Sequence, residues 1–119
     1  MVPVGIAQDA VAVALERSAS TMSSYIYELC ARRDAVIQQL EGLPVGVPDG
    51  GWSLLMRVSD YGIDGETMAE QRLDDGVCAT AMKGWGVEHG SQYIRFVFAN
   101  EPIERLMSLG NRVRSALGI

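Results

Sequence analysis

The chain has 119 residues, about half of them apolar, enough to build one domain core and too few for two. Fifteen acidic against ten basic residues leave a net charge of -5, which offers no positive field to hold phosphates and argues against a nucleic-acid or membrane-surface role. No apolar run approaches the roughly 18 residues of a membrane span, and the opening MVPVGIAQDA lacks the basic flank of a signal peptide, so a cytoplasmic protein is expected.

From Ile6 to Leu40 the apolar residues recur at helical spacing, through Ala10, Val13 and Ala14, then Met22, Ile26, Leu29, Val36 and Ile37. The serines and threonine at 18–24 offer capping hydroxyls that compete with a continuous ladder, which favours two helices with a break near 18–21 over one rod by a narrow margin. Four glycines and two prolines in EGLPVGVPDGG stop the helix near Leu40 and mark a loop. Trp52, Leu54, Met56 and Val58 then alternate with Ser53, Leu55 and Arg57, the period of a half-buried strand. Asp64 is a candidate N-cap for a short helix ending at Gly76, a residue suited to the left-handed conformation after a helix. Residues 77–82 and 92–99 read as two further strands joined by a long hairpin through KGWGVEHGS. Asn100 is expected to cap one last helix with Pro102 in its first turn and Ile103, Leu106, Val113 and Leu117 along its apolar stripe.

This order has too few crossovers for a doubly wound sheet, and the hairpin implies antiparallel pairing. The expected fold is α+β: a two-layer single domain spanning 1–119, with a small, mainly antiparallel three-stranded sheet packed on helices and its other face uncovered. Alternation puts Ile94, Phe96 and Phe98 on one face of the final strand and Tyr93, Arg95, Val97 and Ala99 on the other. Burying the aromatic face against the helices contributes on the order of 1.5–3 kcal/mol per side chain, so Arg95 points away from them, and Arg57 of the first strand is a candidate for the same side. Spacing alone favours two solvated arginines over an anion site.

The remaining candidates for chemistry are weak. His89 lies in a glycine-rich turn, where a lone histidine is usually solvated. The glycines of GWGVEHG miss the dinucleotide fingerprint by one residue and join two strands, so the segment reads as a hairpin loop. Glu66, Glu70, Asp74 and Asp75 read as the solvated face of a short helix. Cys30 and Cys78 have neither a CxxC partner nor a nearby histidine and are expected to be buried free thiols. Lys83 is the only lysine, and its glycine-flanked loop provides neither the desolvation nor the carbonyl partner of a Schiff-base amine.

The succession IAQDAVAVALE, RRDAVIQQLEGLP, DGGWSLLMRV, DDGVCATAMKGWG and YIRFVFANEPIERL resembles the C-terminal small domain of class I/II aminotransferases, the pyridoxal-phosphate enzymes of fold type I. Its most specific pieces are the RRD helix, the GV strand leading into a loop with an aromatic and glycines, and the YIRF strand. The resemblance implies that Arg95 binds the α-carboxylate of an amino-acid or oxo-acid substrate and that Trp85 stands where the family has a substrate-site aromatic. It departs from the family at Ala81-Met82-Lys83-Gly84-Trp85-Gly86, where a Pro-Gly pair followed by Phe and Gly is usual. The aldimine lysine, the acidic partner of the pyridine nitrogen, the stacking aromatic and the phosphate cup belong to the family's large domain, upstream of residue 1, and Lys83 does not match that lysine. The resemblance therefore implies pyridoxal phosphate in an intact enzyme, none on this chain alone, and a separate large cofactor-binding domain as partner. Residues 1–17 are then a candidate helix that belongs with that domain, and an apolar helix left uncovered would lead to a homo-oligomer. The rival reading is a non-catalytic binding or assembly module that keeps the fold.

Overall fold

A computed structural model describes residues 5–74 and 76–119. The first element is one continuous helix, α1 (Gly5–Gln39), and not two. The hydroxyls that were expected to interrupt it turn back onto their own helix. Ser18 donates to the Leu15 carbonyl (2.8 Å), Ser20 to Arg17 (2.9 Å) and Ser24 to Thr21 (2.7 Å). Bonded in this way, they offer no cap to a new N-terminus and leave the ladder intact.

The other elements follow as β1 (Ser53–Arg57), α2 (Gly65–Asp74), β2 (Thr80–Ala81), β3 (Tyr93–Val97), α3 (Ile103–Leu106) and α4 (Leu109–Leu117). The sheet order is β1-β3-β2 and both pairings are antiparallel, as the hairpin required. Strand β2 is shorter than the expected 77–82, with ladder partners only at Thr80 and Ala81. The Asp64 cap is present: its Oδ1 accepts the Thr67 N–H at 2.8 Å, satisfying a donor that the first helical turn leaves open. Gly76 has φ 74°, in the left-handed region.

The end of the chain differs from expectation. The last helix is split at Met107–Ser108, and the residue flanking α3 is Pro102, in extended conformation and without a side-chain cap, so Asn100 is not the cap. The split seats Gly110 of α4 so close to the end of α1 that a Cβ there would stand 2.2 Å from the Gln39 carbonyl oxygen. Arg114 donates from Nη1 to that carbonyl (3.0 Å) and from Nη2 to Glu41 O (2.6 Å), placing a cation at the negative end of α1.

The core lies on one side of the sheet. Leu54, Met56 and Val58, then Ile94, Phe96 and Phe98, are buried against Val36 of α1, Leu40 just beyond its end, Met68 of α2 and Val113 of α4. Trp52 is not part of this layer: it is 60% exposed, because it precedes the strand and only its carbonyl is used, accepting the Phe98 N–H at 3.0 Å. The thiols are free but not buried as expected. Cys30 is half-buried, and Cys78 is exposed because Val77 and Ala79 on either side of it turn inward. The expected acidic run at Asp74 and Asp75, the apolar role of Ile6 and the first four residues lie outside the described residues and side chains.

Candidate functional site

The uncovered face of the sheet is centred on Arg95. Register places it directly between Leu55 of β1 and Thr80 of β2, with Tyr93 beside Arg57 and Val97 beside Ser53 on the same surface. The two arginines there are not equivalent. Arg57 is neutralised by Asp60 three residues on, with Nε at 3.1 Å and Nη2 at 2.8 Å from Oδ2, and this pairing, first through its hydrogen bond and then through its charge, raises the arginine's pKa. The Arg95 side chain donates no hydrogen bond and makes no ion pair among the described residues, and its Nε is buried without a partner.

One group does meet it. The Arg95 Cζ lies 4.7 Å from the centroid of the Trp85 ring, within cation–π range. Trp85 reaches this position from a short 3-10 turn, Lys83–Trp85, in the β2–β3 connection. The turn is tied down by Trp85 N–H to Met82 O (2.8 Å) and Met82 N–H to Tyr93 O (3.1 Å). Gly90 packs beneath it, where a Cβ would come within 2.5 Å of the Met82 carbonyl oxygen. Gly65 lets the start of α2 approach β3 equally closely, 2.4 Å separating its would-be Cβ from Tyr93 O.

The other sequence candidates fall away from this centre. Lys83 is exposed and paired with Glu66 at 2.6 Å, and that hydrogen bond, with the charge behind it, raises its pKa, the opposite of what a nucleophilic amine needs. Glu66 is thus part of a pair that joins α2 to the hairpin, a contact across 17 residues that spacing could not reveal. His89 is exposed, with its Nε2 3.9 Å from a Glu88 oxygen, as expected of a turn histidine. Among the described residues no group of three or more His, Cys, Asp or Glu is placed to hold a metal ion, and no helix is long and apolar enough to cross a membrane. A cleft of about 430 Å³ opens between Val77–Thr80 and the α3–α4 corner, but it includes neither Arg95 nor Trp85, and Arg105 on its rim is paired with Glu101 at 3.3 Å.

An α+β layer of this topology is the C-terminal small-domain fold of the fold-type I pyridoxal-phosphate-dependent aminotransferases. No protein-family model matches the chain, and no curated protein matches it. Solved structures do. A Pyrococcus protein designated A1 is similar over 98% of this chain and 31% of its own, at 29% identity and a TM-score of 0.85. The aromatic aminotransferase of Pyrococcus horikoshii OT3 is similar over 87% and 28% of the two chains, at 26% identity and a TM-score of 0.76. A PLP-bound putative aminotransferase of Clostridium difficile 630, at 22% identity, shares the fold with a TM-score of 0.75 over 87% of this chain and 28% of its own. The chain therefore spans less than a third of the length of these structures.

Proposed function

We propose that this chain supplies substrate α-carboxylate recognition to a pyridoxal-phosphate-dependent aminotransferase whose large, cofactor-binding domain lies outside these 119 residues. The observation that carries the reading is Arg95: a permanently charged fork of donors, unpaired among the described residues, with a buried Nε, on the open face of the sheet. A buried charge with no partner is costly, and a carboxylate matches the guanidinium plane with two parallel charge-assisted bonds. Trp85 forms the adjacent wall of that site. The ligand is an amino acid or its oxo acid.

The residues of this chain do not fit the cofactor itself. Its one lysine is solvated and paired with Glu66, which raises its pKa and supports the reading that no amine here is disposed to take an aldehyde; the isolated chain is expected to be inactive in transamination. Pyridoxal phosphate mixed with the chain is expected to give no specific aldimine absorbance; a stoichiometric band that disappears in Lys83→Gln would overturn this.

The decisive experiment supplies a large domain bearing the cofactor lysine and measures amino-group transfer. Arg95→Ala is expected to lower kcat/KM about 30-fold or more, the cost of truncating one partner of a hydrogen-bonded charge pair. Full activity in that variant would remove Arg95 from substrate recognition.

A second reading is favoured by one feature, the exposed apolar residues Val11, Leu15, Met22 and Ile26 of α1, which suit a non-catalytic assembly module. Failure of any supplied large domain to dock would favour it. On either reading the chain is proposed to work in the cytoplasm as a homo-oligomer.

A further inference from the structure

The Arg95 Cζ sits over the Trp85 ring, 4.7 Å from its centroid, and the indole is itself 68% exposed. Arg95 has little else to fix it: no acceptor among the described residues takes its protons, and its long stem has many rotamers. With Nε buried, the two Nη nitrogens are the donors left to meet an acid group, and a carboxylate must approach them in the guanidinium plane. A ring held against the guanidinium carbon restrains the cation without taking up its Nη protons.

We propose that Trp85 is a positioning residue that acts through Arg95. It holds the guanidinium so that its Nη edge meets the substrate carboxylate end-on, and the Glu66–Lys83 ion pair in turn holds the turn that carries Trp85. This inference rests on the reading of Arg95 as a carboxylate binder, and the test separates the two.

The 119-residue chain is labelled with ¹⁵N-arginine, and the Arg95 Nε–H signal is assigned by its loss in Arg95→Lys. Stacking under an indole displaces that proton upfield by ring current. Trp85→Ala is expected to abolish the displacement and Trp85→Phe to keep part of it. The same samples are titrated with 3-phenylpropionate, a carboxylate without an amine. Trp85→Ala is expected to weaken binding about two- to fivefold, the range of an exposed cation–π contact, with most of the loss recovered in Trp85→Phe and a smaller loss in Glu66→Gln. An unchanged Nε signal and affinity in Trp85→Ala would overturn the proposal while Arg95 kept its role. Equal losses in both Trp85 variants with the Nε signal retained would make Trp85 a direct substrate contact and also overturn it. Binding that survives Arg95→Ala would sink the carboxylate reading instead, and the ring-current measurement would still decide whether Trp85 holds Arg95.

Discussion

Arg57 and Arg95 face the same way from neighbouring strands, yet one carries a carboxylate three residues downstream and the other has none in reach among the described residues. Alternation alone put Arg95 on the face away from the aromatics; the Arg57–Asp60 pair and the lack of an acceptor at Arg95 among the described residues were not read from spacing, because each is a property of the neighbourhood. Asp64 was legible for a simpler reason, since a cap acts within its own turn. Its carboxylate accepts the Thr67 N–H, and this bond lowers its pKa below the ordinary carboxylate value. A depressed folded-state pKa means that the cap's contribution is complete above the unfolded carboxylate range and lost as pH falls through the lower folded value. Thermal melts of the parent chain should therefore lose midpoint on acidification below about pH 4. Asp64→Asn, which keeps an acceptor without a charge, should flatten that acid slope, and an equal slope in both proteins would exclude Asp64 as a contributor.

Elements were legible where burial is one-sided and short-range. The alternation in β1 and β3 fixed which face meets the helices, and Phe98, 1% exposed just past the end of β3, is the largest fully buried side chain of that layer among the described residues. Phe98→Ala should cost about 3–5 kcal/mol in urea unfolding with an unchanged m-value. Boundaries set by distant contacts were not legible. The division of the last helix accompanies the contact of Gly110 with Gln39, 71 residues earlier, which no local pattern encodes. Gly110→Ala places a methyl against a backbone oxygen and should destabilise by about 1–3 kcal/mol, as overpacking does, measured by the same titration. Continuity of α1 at 18–24 turned on which way the hydroxyls point, and serine serves equally as a cap and as a helix-face residue. Replacing Ser20 and Ser24 with alanine should leave the far-UV helical signal unchanged or slightly stronger; a drop would mean that the hydroxyls support the helix.

The whole molecule is extended. Its radius of gyration is 17.3 Å and its longest dimension 52 Å, whereas a compact chain of this length has a radius near 13–14 Å. The excess comes from α1, whose first two-thirds stand clear of the core while its last turns carry Val36, and the chain just beyond them Leu40, into it. Val11, Leu15, Met22 and Ile26 lie along one stripe of the exposed part, so light scattering should find a dimer that dissociates on dilution. A monomer at every concentration would count against self-association. Because no break interrupts the rod, its free end and its clamped end cannot turn independently. About 46 Å of helix separate Gly5 from Val36, so a tilt of about 5° at the core swings the far tip by about 4 Å, and any body gripping that tip gains a lever on the sheet that bears Arg95.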